Sequence, residues 1–367
     1  MKMPAEHIRE EIRKAGAITF ARFMELALYC PETGYYERNR DNVGRRGDFI
    51  TSVSTGELFG QLLAFQFAKW LDALEPFKIK NEKLKIIEAG AHDGKLAADI
   101  LNWLKKNRAE LFSQIEYCLL EPSPRRQKWQ QETLREFSNV RWLNAQRSTL
   151  NAQLTGVFFS NELLDAFPVH RFGWDAKEKK WFAWCVALAG ESLVWSRITP
   201  HSSDAALPSA LRDLPSSLLA VLPDGYTIET SPAAENWWRD AASFLAHGKL
   251  LAIDYGFTEA EMISPTRTNG TLRAYAQHRI SDDLLANPGE QDLTAHVNFT
   301  AIQNVGEKVG LKTETFCTQP QFLTRILGAA VKENIFAHLD AKQVRQFQTL
   351  THPDHLGRAF RVLVQAR

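Results

Sequence analysis

Two short stretches carry the residues whose types and spacing suit chemistry. In Glu88-Ala-Gly90-Ala-His92-Asp-Gly94, an apolar run (Leu84-Lys-Ile86-Ile87) gives way to a helical pattern. A glycine turn at such a strand-to-helix junction lets backbone N–H groups and the positive helix end approach an anionic ligand group. A dinucleotide fingerprint needs G-x-G-x-x-G. Here the middle glycine is His92 and position 95 is lysine, which disfavours NAD or FAD, and the lack of G-K-[ST] excludes a nucleotide P-loop. An acid two residues before the turn glycine and a second at Glu121 suit a zwitterionic nucleoside such as S-adenosylmethionine. Glu88 can meet its ammonium or a nearby water, and Glu121 can accept both ribose hydroxyls through its two oxygens. Acids and glycines are also common at the turns of any α/β protein, and the motif alone leaves both readings open.

The second stretch is Asn161-Glu162-Leu-Leu-Asp165-Ala-Phe-Pro168. Paired carboxylates can hold a guanidinium in two planar forks, a geometry that suits arginine better than lysine. They also orient a nitrogen lone pair in line with a sulfonium methyl, and orientation supplies much of the rate of such a transfer. The plainer alternative makes Glu162 or Asp165 a carboxylate at a helix N-terminus. His352-Pro-Asp354-His355 resembles a metal cluster but has no acidic partner motif, so a turn before the last strand is the better reading and no metal is expected. Trp181, Trp184 and Trp195 alternate as strand packing residues do, and Arg45-Arg46 and Arg125-Arg126 read as solvated faces.

The elements that must position these groups follow from periodicity. Phe20, Phe23, Met24, Ala27 and Leu28 form an amphipathic helical stripe, and a long glycine-bearing loop with aromatics follows Pro31. A helix from about Gly56 to Leu74, apolar on most faces and stopped by Pro76, should be buried nearly all round. Strands are expected at Leu84–Ile87, Ile115–Glu121, Val140–Leu143, Gly156–Asn161 and Lys249–Asp254, with helices between, which specifies a parallel sheet covered on both faces. Any ligand then lies along the carboxyl edge. From Val169 to Tyr226 the helical period is lost and antiparallel strands are expected; Ser231-Pro232 starts a helix, and Phe360–Val364 should pair with Lys312–Phe316.

Composition agrees with a folded soluble enzyme. The 367 residues are 44% hydrophobic and 24% charged, and 44 Lys+Arg against 43 Asp+Glu leave a net charge of +1, without the basic field of a dedicated nucleic-acid binder. Four widely spaced cysteines (Cys30, Cys118, Cys185, Cys317) suit a reducing compartment. No apolar run approaches the ~20 residues of a membrane span. The first residues carry Glu6, Glu10 and Glu11 and no apolar signal region, so a cytoplasmic location is expected.

The whole constellation resembles the MidA-like S-adenosylmethionine-dependent methyltransferases, a family that includes mitochondrial complex I assembly factors. The likeness runs from Ile18-Thr-Phe-Ala-Arg-Phe-Met24, Gly34-Tyr35-Tyr36, Gly47-Asp48-Phe49-Ile-Thr51-Ser52 and Phe59-Gly60 through Glu121-Pro-Ser123-Pro124 and Asn161–His170. It continues through Asp254-Tyr255-Gly256, Gly270-Thr-Leu-Arg273-Ala-Tyr275 and Gly289–Val297 to His352–Phe360. The resemblance implies an α/β fold: a class I methyltransferase, Rossmann-like sheet of seven strands with an N-terminal helical and lid region (1–80). The core would comprise 81–168 and 226–367, with an antiparallel β insertion at 169–225. It implies that Glu88, Gly90, Gly94, Glu121 and Asn161 form the cofactor pocket, that Gly47, Asp48 and Thr51 form its lid, and that Glu162 and Asp165 are the catalytic acids facing the substrate. The expected activity is N-methylation of an arginine in a protein partner, with no nucleic acid and no membrane span. Oligomeric state is left open, a homodimer included.

Two departures from the family pattern stand out. His92 occupies a position that is usually glycine, and Val53-Ser54-Thr55 replaces a Pro-Glu-Ile run. The alternatives are a binding or assembly factor with a retired pocket, which His92 favours, and a small-molecule methyltransferase on the same scaffold.

Overall fold

The computed structural model describes residues 3–38, 51–74, 83–143, 154–199, 207–276, 279–281 and 283–367. The chain forms two compact units: Met1–Asn42, Asp165–Asn236 and Phe257–Thr300 make the first, and Val43–Leu164, Trp237–Gly256 and Ala301–Arg367 the second.

The second unit is built on strands β1 (Leu84–Ala89), β2 (Ile115–Leu120), β3 (Val140–Leu143), β4 (Leu154–Asn161), β5 (Leu245–Phe257), β6 (Lys312–Thr318) and β7 (Phe360–Ala366). Their order across the sheet is β6-β7-β5-β4-β1-β2-β3. Strands β1 to β5 pair in parallel, while β7 runs antiparallel to both β5 and β6. Chain order reverses between β1 and β4, since β2 and β3 extend one way and β5 the other. A doubly wound sheet opens its crevice at that reversal, outside the carboxyl ends of the strands. Glu88 and Asn161, near the ends of β1 and β4, flank it.

Burial explains why the reversal is rigid. The helix Leu58–Leu74 is apolar nearly all round and is buried along its length, as its pattern predicts. Its Phe67 ring lies 4.9 Å from the ring of Phe159 in β4. The helix Lys95–Asn107 places Leu96, Ala97, Ile100, Leu101 and Leu104 in the same core. The predicted β6–β7 pairing is present with a register shift between Thr313 and Thr315. Pro76 lies outside the described residues.

The first unit has an antiparallel sheet in which Lys180–Ala189 is flanked by Ala17–Thr19, His170–Asp175 and Ser192–Ile198, with Thr227–Thr230 beyond His170–Asp175. A smaller sheet joins Arg273–Ala276 to Arg279–Ser281 and Asp292–Thr294. Ile8, Ile12, Phe20, Phe23 and Leu28 of the N-terminal helices share a core with Val186, Leu272, Ala274 and Leu293. The unit boundaries therefore differ from the segments expected: 1–80 is divided, 169–225 gains the N-terminal strand, and 257–300 leaves the sheet-bearing core. Strand pairing between distant parts of the chain is the physical reason, and periodicity within one segment does not report it. Trp181 packs against Trp174 and Tyr226, and Trp184 against Trp195, as the strand alternation indicated.

Candidate active site

At the β1 corner the backbone is left-handed at Gly90 (φ 73°), His92 (φ 47°) and Gly94 (φ 82°). A Cβ on Gly90 would stand 2.9 Å from the Leu163 side chain, so glycine there admits the turn after β4. Lys95 N–H donates to the Asp93 carboxylate (2.9 Å), which closes the helix start. Glu88 is buried, and the Tyr117 hydroxyl donates to its Oε2 at 2.6 Å. Burial pushes its carboxyl up to about 8 against the Tyr117 hydrogen bond, with Asp93 and Asp99 adding to the rise. A buried carboxyl whose ionisation is opposed by its surroundings and whose Oε2 accepts from Tyr117 is suited to shaping the corner.

Glu121 follows β2. Its Oε1 accepts from Ser123 N–H (2.9 Å) and its Oε2 from Gln130 Nε2 (3.2 Å). Gln130 is fully buried, donates also to the His92 carbonyl (3.1 Å) and accepts from Trp142 Nε1 (2.9 Å). One glutamine thus ties the β1 corner to the β2 corner. An ionised carboxylate has about four lone-pair directions, and those on Glu121 lie at the carboxyl end of β2.

The β4 corner is organised by Asp254, whose Oδ2 accepts from Leu163 N–H (3.0 Å) and Leu164 N–H (2.7 Å) and whose Oδ1 accepts from Tyr255 N–H (2.8 Å). Glu162 N–H donates to the Ile253 carbonyl, and Glu162 itself is left-handed at φ 53°. A non-glycine residue held there is a strained position that the surrounding hydrogen bonds must enforce. The half-buried Glu162 carboxylate accepts through Oε1 from Asn161 Nδ2 (3.0 Å) and Ser52 N–H (3.1 Å). Burial nevertheless lifts it to about 8, with Asp254 contributing. The Asn161 Oδ1 is buried without a hydrogen-bond partner. Such an acceptor is costly to leave alone, and it faces a ligand donor at low cost.

Of the residues expected from sequence, Glu88, Gly90, Gly94, Glu121, Asn161 and Glu162 all belong to this one unit, on corners joined through Leu163 and Gln130. Thr51 is buried beside Ser52, with its Oγ1 accepting from Ser54 N–H. Gly47 and Asp48 lie outside the described residues. Asp165 belongs to the first unit, where it is buried and its carbonyl accepts from Ala295 N–H. There Tyr36 donates to Asp292 at 2.6 Å, and its hydroxyl is pushed up by burial, then by the charges of Asp292, Tyr29 and Asp165. Sequence reasoning missed Ser52, Gln130 and the organising role of Asp254. Only Asp254 had a visible signal, as an acid ending an apolar strand.

A seven-strand order with an antiparallel β7, acids at the carboxyl edge and a glycine corner after β1 define a class I methyltransferase. The residues fit S-adenosylmethionine on the structure's own terms: an orphaned buried acceptor at Asn161, left-handed backbone at Gly90 and Gly94, and a buried carboxylate, Glu121, at the carboxyl end of β2. Residues 62–317 match the family described as S-adenosyl-L-methionine-dependent methyltransferase, and the chain belongs to it, as a MidA-like member. A crystal structure of a COG1565 superfamily member from Burkholderia thailandensis bound to S-adenosyl-homocysteine is 32% identical with a TM-score of 0.84, covering 99% of this chain and 92% of that one. A Drosophila melanogaster protein named protein arginine methyltransferase NDUFAF7 homolog, mitochondrial, is 28% identical over 98% of this chain and 84% of its own length. The Bos taurus protein arginine methyltransferase NDUFAF7, mitochondrial, is 27% identical over 97% and 82%. The protein is a S-adenosylmethionine-dependent methyltransferase.

Proposed function

We propose that the methyl acceptor is an arginine guanidinium of a protein partner and that Glu162 binds it. One observation carries this: Glu162 sits at a strained turn with two donors on Oε1, yet burial still lifts its carboxyl to about 8. A carboxyl so placed is short of a cation, and a guanidinium supplies one with matched geometry. The names of the curated relatives support the same acceptor.

S-adenosylmethionine, when bound, supplies an electrophilic methyl on a sulfonium. Gly90, Gly94, Glu121 and Asn161 are proposed to hold it, with Thr51 and the undescribed Gly47 and Asp48 as the lid. Glu88 supports the corner from beneath. Glu162 holds the acceptor nitrogen in line with the methyl, which converts binding energy into orientation. As the N–CH3 bond forms and the S–CH3 bond breaks, the guanidinium must lose a proton. A carboxylate whose proton affinity lies near the working pH can take it. For Asp165 the proposed role as a second acid rests on the likeness of Asn161–His170 to the family pattern.

The deciding experiment pairs calorimetry with labelled-methyl transfer into cell lysate and mapping of the modified molecule. Glu162→Gln keeps an acceptor for Ser52 and Asn161 but removes the charge. It should bind S-adenosyl-homocysteine normally and lose turnover by about 100-fold or more. Normal binding with undiminished turnover ends the proposed role, and label appearing only in small molecules ends the protein acceptor. The four cysteines are buried and unpaired, in keeping with a reducing compartment, the cytoplasm in our reading. Recovery of the native protein in an organelle fraction would overturn that location.

A further inference from the structure

Glu162 is gripped by the backbone of Ser52, which raises the question of what holds Ser52. The residue is fully buried, and its hydroxyl donates to Gln319 Oε1 at 3.2 Å. Gln319 is itself fully buried and donates through Nε2 to the Leu350 carbonyl at 2.9 Å. The Leu350 carbonyl can only accept, so the amide nitrogen must point toward it and the amide oxygen toward Ser52. The orientation of Gln319 is thereby set by its neighbours. Gln319 opens the helix Gln319–Lys332, and Leu350 lies near the end of the helix Ala341–Thr351.

A second tie secures the same segment. Leu58 N–H donates to Gln346 Oε1 at 3.2 Å, and a Cβ on Gly56 (φ 138°) would collide with the Gln346 amide. Between the ties, Thr55 Oγ1 donates to the Ser52 carbonyl at 2.8 Å, so the turn that follows Ser52 is itself pinned. Residues 51–58 are thus fastened by two glutamines from the C-terminal helices. Those glutamines are far from Ser52 in sequence.

We propose that Gln319 is a positioning residue for methyl transfer, anchoring Ser52 so that its backbone N–H stays on the Glu162 carboxylate. The inference rests on the reading of Glu162 given above. An apolar side chain could fill the space around Gln319 without the cost of burying an amide. What the amide adds is direction: it holds one peptide N–H against one carboxylate oxygen. Among the described residues, the groups facing Glu162 are Ser52 N–H, the Asn161 amide and the Asp254 carboxylate from β5. Of these, Ser52 and Asn161 favour the ionised form and Asp254 opposes it. Loosening Ser52 should therefore make Glu162 harder to ionise.

The test is kcat against pH for wild type, Gln319→Met, Ser52→Ala and the double variant, with melting temperature recorded for each. Gln319→Met should lower kcat about tenfold and move the acid limb of the profile to higher pH. Ser52→Ala should move the limb the same way, and the double variant should add little, because both act through one contact. A destabilised Gln319→Met with the wild-type pH profile, or single effects that add in full, overturns the proposal. Glu162→Gln run alongside separates the two ideas. Full turnover in Glu162→Gln defeats the function reading and this inference together, whereas lost turnover there with an unshifted Gln319→Met profile defeats only the anchor.

Discussion

The corners after β1 and β4 each present a glutamate lifted to about 8 by burial, and they treat it differently. Glu88 is closed in, 3% exposed, with a tyrosine hydroxyl on it and glycines around the turn. Glu162 is half-buried, carries its own left-handed strain, and stands next to an acceptor with no partner. A closed-in acid with its hydrogen bond made suits a structural role. An acid at a strained turn beside a partnerless acceptor suits the ligand-binding role proposed for Glu162. Similar proton affinities thus mark different work, and the neighbours decide which.

The widest separation between the corners should appear in turnover. Glu162→Gln is expected to cost about 100-fold or more, while Glu88→Gln, which can still accept from Tyr117, should cost less than about tenfold in labelled-methyl transfer. Equal losses in the two variants would erase the distinction. Next in size, Asp254→Asn keeps one acceptor but cannot serve Leu163, Leu164 and Tyr255 together. Turnover should fall about tenfold and stability by roughly 1–3 kcal/mol in denaturant unfolding. Because Asp254 opposes ionisation of Glu162, the acid limb of its rate profile should move to lower pH, opposite to the shift expected on loosening Ser52.

Much of this architecture was legible in the sequence, and the reason is periodicity. Five parallel strands and the buried helix Leu58–Leu74 declare themselves through apolar runs of the right length, and Glu88, Glu121 and Asn161 stand at strand ends that any reader of the pattern can locate. What stayed hidden is what no local pattern encodes. Gln130, Gln319 and Gln346 look like surface residues on polar helices, and only long-range packing turns them into buried ties. The pairing of Ala17–Thr19 with Thr19's distant partner strand Lys180–Ala189 is equally non-local, and it is why the unit boundaries fell elsewhere than expected. Glu88, expected to meet an ammonium or a nearby water, also has a partner that no local pattern encodes, Tyr117 on the neighbouring strand.

Stability against pH offers a finer comparison. Both glutamates have folded-state proton affinities raised above the ordinary 4.5, so their contribution is fully present below pH 4.5 and is lost as pH rises toward about 8. Each group accounts for a fall of at most about 1.4 kcal/mol per pH unit across that window. Glu88→Gln should flatten the decline measured by urea unfolding in the ligand-free protein. In wild type, a cationic guanidinium peptide should flatten the part due to Glu162 and leave the part due to Glu88. A decline insensitive to both changes would place its origin elsewhere in the molecule.

The smallest expected effect lies at His92, where the two corners are most alike, since Glu162 and His92 are both non-glycine residues with left-handed backbone. A left-handed residue with a Cβ costs about 1 kcal/mol, and replacement by glycine relieves that while giving the unfolded chain more freedom. The net change in stability for His92→Gly should therefore stay within about 1 kcal/mol. Ligand affinity is the sharper measure. The His92 carbonyl is held by Gln130, which fixes the backbone path, while its ring lies 6.2 Å from Trp129 and its Nδ1 3.8 Å from the Asp93 carboxylate. Glycine should let a cofactor approach the β1 corner more closely and tighten S-adenosyl-homocysteine binding by about two- to fivefold in calorimetry. Weaker binding would mean that the imidazole contributes to the pocket, and the β1 corner, like the β4 corner, would then have strain placed at a working side chain.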